Sequence, residues 1–423
     1  MAVKYSREVE SVKRSVVTGI GLITPSGLAI DPFWHNVTNG ISAAASITRF
    51  DASRLPVRIA AEVKDFNLND FLPEVREKRL DRTVQYAVAA AASALKDSGL
   101  NLEGMDPDRA GVVEGTTMSG IGSVLKSYNS FIADKTYRSM HPYNLIASYC
   151  GEGSSSISLY LGIRGPVMTY CSGCASGNDA IGHAARMVQH DELDVVIAGG
   201  SDEILEMLHI GFCKLHTMTE HGGDPRQAMR PFDRSRDGFV LGEGAAFVIV
   251  EELSHAMARG AKIYAEIMGH GRTAEAHHPT DPHPEGLGYK SALKRAFRHA
   301  RMQPEEIDYI NAHGSATRRN DPIETLAIKD VFGSYSRRLA VSGTKAITGH
   351  LMGASGAVES AITILAVKNQ HIPPTINLTE PDKGCDLDYV VQSRPYPIRA
   401  AVNLNAGFGG RYSCLIIRRF PET

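Results

Sequence analysis

Cys174 stands in residues 165–183, GPVMTYCSGCASGNDAIGH, where an apolar run (Pro166 to Tyr170) gives way to small residues and a thiol. A segment with helical spacing follows: Ala180, Ile181, Ala184, Met187 and Val188. This pattern places a cysteine where a strand turns into a helix. Small neighbours let the backbone turn sharply, and the helix N-terminus offers free N–H groups and the positive end of its dipole. Both favour the thiolate, which is the nucleophilic form. Two histidines occupy similar settings. His313 follows an expected strand in NAHGSAT, and His350 lies in SGTKAITGHLMGASGAVES. Gly-flanked strand exits are the usual address of active groups in α/β folds. A thiol and two imidazoles at such exits point to nucleophilic catalysis.

Cysteine and histidine also raise metal binding, but no short-spaced His or Cys pair accompanies either histidine, so no metal site is expected. Cys171 and Cys174 form a C-x-x-C pair, a spacing shared with thioredoxin-like redox motifs and half of a zinc site. The redox motif falls early in a small βαβ domain, whereas this pair lies mid-chain, and no second pair completes a zinc site. Cys171 is therefore expected to be a buried small residue ahead of the turn. Gly407-Phe408-Gly409-Gly410 follows another expected strand. Glycine on both sides permits close backbone approach and aims N–H groups into a cavity. An acyl-transfer nucleophile needs paired N–H donors of that kind for its oxyanion. Phe408 is placed to lie across a hydrophobic channel.

The elements that position these groups alternate. Short apolar strands are followed by helices along all 423 residues, so the class is α/β. Strands are expected from 15, at 194–198, 245–250, 263–268, 307–311, 339–342 and 401–405. Helices are expected at 83–95, 289–300, 323–332 and 358–368. A half-boundary falls near 256–262, giving an N-terminal half over 13–255 and a C-terminal half over 262–420, with no linker-like segment between them. No residue-level repeat is visible. The formal net charge of −2 gives no reason to expect nucleic acid as a partner. No apolar run reaches membrane-spanning length, and the polar N-terminus lacks a signal-peptide core. Six scattered cysteines suit a reducing cytoplasm.

Taken together these residues resemble the condensing enzymes of the thiolase superfamily, and among them the elongating β-ketoacyl-acyl-carrier-protein synthases of the synthase II type. The resemblance runs from VVTGIGLITPSG to the final strand through FDRSRDGFVLGEGA, VVIAGGSDE, NAHGSAT, GTKAITGHLMGASGAVE and GFGG. It implies a thiolase fold, two similar αβα halves in a five-layered αβαβα body. The family's nucleophile precedes the histidine of the IGHAAR segment by nine residues, which selects Cys174 over Cys171. Its catalytic histidines match His313 and His350, its lysine Lys345, and its acidic residue after the first histidine loop Glu324. Ser315, Thr317 and Thr280 match hydroxyls that contact the phosphopantetheine arm. Ile121 matches the position that limits the acyl pocket. The Cys174 and Phe408 N–H groups match the oxyanion hole.

The implied chemistry is decarboxylative chain elongation. Cys174 takes an acyl group from a carrier-protein thioester. His313 and His350 then donate to the thioester carbonyl of malonyl-carrier protein, so that loss of CO2 leaves a stabilised enolate to attack the acyl-cysteine. Chain-initiating synthases have Asn where this chain has His350, and a non-decarboxylating thiolase needs a second cysteine as base. No tightly bound cofactor is implied, since the substrates travel on phosphopantetheine. The partners implied are acyl carrier protein and a second subunit, either an identical copy or a related chain-length subunit. Carrier proteins are acidic, so a basic rim is expected from Arg76, Lys78, Arg79 and Arg82 on one helical stretch, with Lys214 and Arg138 as further candidates. The chain departs from the family pattern at Arg411-Tyr412, where Thr-Asn is usual, at Ala406 in place of Phe, and at Tyr170-Cys171-Ser172-Gly173 before the nucleophile. These departures bear on the substrate and leave room for a polyketide or polyene pathway as well as fatty-acid synthesis.

Overall fold

The protein is described by a computed structural model that covers residues 12–75 and 80–421. The first five strands of its main sheet are β1 (Ser15–Ile23), β2 (Ala110–Gly115), β3 (Val167–Tyr170), β4 (Val195–Asp202) and β5 (Gly244–Glu252). Six more follow: β6 (Ala265–Ala274), β7 (Tyr309–Asn311), β8 (Ala340–Ser342), β9 (Asp388–Tyr389), β10 (Ala400–Gly407) and β11 (Arg411–Arg418). Their order is β9-β8-β7-β10-β11-β6-β1-β5-β4-β2-β3.

Only two residue pairs, Val16 with Glu266 and Val17 with Ala265, join β1 to β6. On either side of that seam the same topology occurs twice. β3, β2 and β4 run parallel, with β5 and β1 antiparallel beyond them. β8, β7 and β10 likewise run parallel, with β11 and β6 antiparallel beyond. β9 adds an edge strand beside β8. The duplication that no residue-level repeat betrays is therefore present in the strand order.

Helices complete the layers. α1 (Arg82–Ser98) packs on β1 and β5, capped by the Asp81 carboxylate and stopped by Gly99 in the left-handed region. Its alanines allow close approach; a Cβ on Gly21 of β1 would lie 1.9 Å from the Ala90 carbonyl oxygen. α2 (Ile121–Asp134) follows β2, and α3 (Glu152–Leu161) packs on β2 and β3. α4 (Ser176–Gln189) and α5 (Glu206–Lys214) complete the first half. In the second half α6 (Leu287–Ala300) covers β6 and β11, and α7 (Asn320–Phe332) packs on α6. α8 (Ser355–Asn369) touches α4 and strands of both halves. All thirteen residues from Ser355 to Val367 are buried, the pattern of a helix enclosed on all sides. α4 and α8 thus form the inner layer between the two halves of the sheet, with α1 and α6 outside, in the five-layered thiolase arrangement.

Candidate active site

The duplicated topology brings strand exits from both halves to one place. Cys174 lies in a single 3-10 turn (Gly173–Ala175) between β3 and α4. His350 follows β8, the strand that corresponds to β3, by way of the helical turn Lys345–Thr348. His313 follows β7, and Phe408 sits in the hairpin between β10 and β11. Cys174, His313, His350 and Phe408 line one cavity of about 570 Å3, together with Thr280, Ser315 and Thr317.

Hydrogen bonds fix the tautomers of both histidines. Lys345 Nζ donates to the His313 carbonyl at 2.6 Å and to Glu359 Oε1 at 2.5 Å, and lies 3.3 Å from His313 Nδ1. An ammonium only donates, so Nδ1 accepts and the ring proton sits on Nε2. For His350, the Met352 backbone N–H donates to Nδ1 at 3.1 Å, with the Ser355 hydroxyl at the same distance. That ring also carries its proton on Nε2. Burial, then the Lys345 charge, hold both imidazoles neutral, with pKa values well below 6.5. The rings stand edge to face with centroids 5.6 Å apart. The pair is therefore two neutral N–H donors, the form suited to hydrogen-bonding a carbonyl that gains negative charge.

The thiol departs from the sequence expectation. Burial pushes the Cys174 pKa up to about 12, with the Lys345 charge the largest opposing influence. The resting group is the thiol, because at this helix end desolvation outweighs the neighbouring positive charge. The backbone around it is tightly packed. A Cβ on Gly407 would stand 2.6 Å from the Ser172 carbonyl oxygen and 3.0 Å from the Cys174 nitrogen. A Cβ on Gly173 would lie 3.7 Å from the Phe408 nitrogen. The two peptide turns that carry these N–H groups meet with no side chain between them.

Glu324 does not line this cavity. Its carboxylate accepts the backbone N–H groups of His313 at 2.7 Å and Gly314 at 2.9 Å, which fixes the turn that aims the histidine. Burial raises its pKa to about 8. Lys345 is 1% exposed and likewise acts behind the histidines. Ile121 opens α2 and does not border the cavity.

Of the four residues expected on the basic rim, Arg76, Lys78 and Arg79 lie outside the described residues, and Arg82 opens α1. The Arg82 guanidinium turns onto Tyr86, donating to its hydroxyl at 2.6 Å and lying over its ring. Lys214 is exposed at the end of α5, next to Leu215 and His216 of the cavity wall, and Arg138 is exposed in a turn away from it. The arginines at the mouth are Arg318 and Arg319, which the motif reading passed over.

Other groups were also missed. Glu359, on the inner helix α8, binds Lys345 and accepts from Asn405 at 2.5 Å; burial raises its pKa. A lone acid in an otherwise small and apolar helix was the available signal. Asp202, at the end of β4, accepts the Thr117 and Gly353 N–H groups and ties the second half's loop to the first. Phe212 and Phe239 continue an aromatic row from Phe408 to His350, with centroid spacings of 6.2, 5.3 and 4.8 Å. The unusual Arg411 donates to the Cys171 carbonyl at 2.7 Å, clamping the glycine hairpin to the nucleophile turn. Tyr412 packs edge-on to Tyr289 and bonds Glu275 at 2.8 Å. Cys171 is exposed, not buried, because β3 is the sheet edge. Among the described residues no group of three or more His, Cys, Asp or Glu is placed to hold a metal ion. Among the same residues no helix is long and apolar enough to cross a membrane.

A fold repeated once, with its thiol at a strand exit of one half and its imidazoles at exits of the other, defines the condensing enzymes of the thiolase class. Residues 13–256 match the family described as "Beta-ketoacyl synthase, N-terminal domain", and residues 264–379 match "Beta-ketoacyl synthase, C-terminal domain". The chain belongs to the β-ketoacyl synthase family. It is 41% identical over 409 residues to the 3-oxoacyl-[acyl-carrier-protein] synthase 2 of Coxiella burnetii, covering 96% of this chain and 99% of that one. It is 40% identical to the protein of the same name from Synechocystis, covering 96% and 98%. Among solved structures, the ishigamide ketosynthase/chain length factor superposes with a TM-score of 0.90 at 32% identity, over 97% of this chain and 100% of that one. A type II polyketide ketosynthase solved with its acyl-carrier protein and a bound hexaketide (AntDE:AntF) gives 0.90 at 30%, with the same coverage. The chain is an acyltransferase of the β-ketoacyl-[acyl-carrier-protein] synthase type, which elongates acyl chains carried on acyl carrier protein.

Proposed function

We propose that Cys174 holds the growing acyl chain while His313 and His350 activate malonyl-carrier protein for decarboxylation. The observation that carries this reading is the pair of neutral Nε2–H imidazoles that share a cavity with the thiol. In the first half-reaction the Cys174 sulfur attacks the acyl thioester, and the Cys174 and Phe408 N–H groups take the oxyanion. The carrier's phosphopantetheine thiol departs with a proton. In the second, malonyl-carrier protein enters and both Nε2–H groups bond its thioester oxygen. The carbon–carboxylate bond breaks, CO2 leaves, and the electron pair forms an enolate that attacks the acyl carbonyl. Cys174 is expelled and reprotonated, consistent with the high proton affinity that burial gives its thiol. Each donor aimed at developing charge supplies roughly 3–4 kcal/mol.

Thr280, Ser315 and Thr317 line the approach, with Ser315 and Thr317 hydroxyls 3.0 Å apart, and serve the phosphopantetheine arm; the enzyme needs no tightly held cofactor. Residues 13–255 supply the nucleophile and residues 262–420 both histidines. Carrier protein docks against Lys214, Arg318 and Arg319 at the mouth. The six cysteines are free thiols, which suits the cytoplasm. The working unit is a homodimer joined along β3, and a heterodimer with a chain-length subunit is the second reading, favoured by the likeness to the ishigamide ketosynthase/chain length factor.

Intact-mass measurement after incubation with acyl-carrier protein tests the assignment. One acyl adduct is expected on the wild type and none on Cys174→Ala, with malonyl-carrier protein discharging the adduct as a two-carbon-longer product. An adduct that persists in Cys174→Ala sinks the proposal.

A further inference from the structure

A second cavity, of about 220 Å3, opens on the flank of α4 away from the thiol. His183, Arg186 and His190 of that helix and its end face His270 and Arg272 of β6 across it, with Glu192 at the rim. Arg272 lies over the Tyr170 ring, 5.5 Å from its centroid. Among the described residues neither Arg186 nor Arg272 makes an ion pair. His299 joins the cluster from α6, its Nδ1 accepting the His270 backbone N–H at 3.0 Å. Burial, then the charges of Arg186 and its neighbours, lower the His299 pKa to about 4. Burial and then Arg272 lower that of His183. Two guanidinium groups that make no ion pair among the described residues therefore face a space open to a small solute, with Glu192 the carboxylate at its rim.

The floor of the cavity connects to the nucleophile. The His270 ring lies flat against α4 where Gly182 leaves room; a Cβ there would meet the ring at 2.3 Å. His270 Nε2 is 3.1 Å from Asp179 Oδ1 and 3.2 Å from the Ser413 hydroxyl. Burial works against ionisation of Asp179, yet His270 and the Ser172 and Ser413 hydroxyls hold its pKa low. Asp179 Oδ2 accepts the Ser172 hydroxyl at 2.7 Å, two residues before Cys174.

We infer that this cavity is a binding site for a multivalent oxyanion, a phosphate or a small polycarboxylate, seated between Arg186 and Arg272 and coupled to the Cys174 turn through His270, Asp179 and Ser172. Guanidinium groups match phosphate and carboxylate oxygens in pairs. An anion seated beside His270 shifts that ring, and with it the contact to Asp179 and the hold on Ser172. The coupling rests on Cys174 being the nucleophile; the binding does not.

Calorimetric titration of the intact protein with inorganic phosphate and, separately, citrate, at ionic strength fixed with potassium chloride, tests the site. Saturable binding of at least one is expected, weakened ~10-fold or more in Arg186→Gln and Arg272→Gln. The rate of iodoacetamide labelling at Cys174 is expected to shift severalfold when the anion is bound, and not in His270→Phe. Phosphate binding without citrate binding assigns a phosphate site, and the reverse a carboxylate site. Binding no stronger than chloride's, or unchanged in both arginine variants, overturns the proposal. So does dissociation of the oligomer in those variants, which would give the guanidinium groups to a subunit contact. If Cys174 proves not to carry acyl groups, the titration still decides the site.

Discussion

Lys345 has all three ammonium hydrogens engaged, by Glu359, by the His313 carbonyl and by His313 Nδ1. It orients one imidazole and is the strongest influence lowering the proton affinity of the thiol. Because burial still leaves that pKa near 12, the thiolate fraction rises with pH throughout the usable range. Iodoacetamide labelling of Cys174 should therefore accelerate about tenfold per pH unit up to pH 9 and show no plateau. Lys345→Ala should slow it at every pH, since removing a cation raises the thiol pKa further; a plateau near neutrality would show a thiolate stabilised by the helix end instead. His350 acts on a different step. His350→Ala removes one donor from the malonyl thioester and should lower malonyl-dependent turnover by about 10²–10³-fold. Acylation of Cys174 should stay within a few-fold, and single-turnover assays of the two half-reactions separate them. Equal losses in both would assign His350 to positioning the thiol.

The elements decide how closely these groups meet, and here the glycine hairpin between β10 and β11 matters most. Gly407→Ala places a methyl 2.6 Å from the Ser172 carbonyl oxygen, forcing the hairpin and the nucleophile turn apart. Displacement on the ångström scale costs about 10²-fold, so acyl transfer to Cys174 should fall by that order while the circular dichroism spectrum is retained. Activity at the wild-type level would show that the Phe408 N–H takes no part. Such contacts mark the limit of what the sequence made legible. Cys174, His313, His350 and Phe408 were readable because each stands among glycines at the end of an apolar run, and cavity and chain pattern agree on them. The apolar cores of the strands and helices were readable too. Their ends were not: α7 and α8 each begin three residues ahead of the expected start, at Asn320 and Ser355, in polar and small residues that show no helical periodicity. Glu359 stood out only as a lone acid in a small and apolar helix; its partner Lys345, fourteen residues away, is set by burial that spacing does not encode. Arg82 looked like open surface, but its guanidinium is held by Tyr86 one turn along the same helix, a side-chain contact that spacing alone does not reveal.

At the scale of the molecule, β3 is the exposed edge of the first half's sheet, and it carries the nucleophile at its end. Val167 and Met168 on that edge are each 37% exposed. The neighbouring surface from α2 to residue 149 exposes Tyr128, Ile132, Tyr137, Leu145 and Tyr149. An apolar patch of this extent beside unpaired strand N–H and C=O groups is the surface by which strands add to one another. Pairing of β3 with the same strand of a second copy would extend the sheet across both subunits and stiffen the turn that begins at Cys171. Charged residues on an edge are the common device against such pairing. The double substitution Val167→Lys, Met168→Lys should therefore convert a dimer to monomer in sedimentation velocity at micromolar concentration, with a loss of acyl transfer that accompanies dissociation. Wild-type protein that sediments as a monomer, or a lysine variant that stays dimeric, would move the subunit contact elsewhere. A wild type that dimerises only when mixed with a related chain would mean that β3 is complementary to a different subunit's edge, and the chain-length heterodimer would then replace the homodimer.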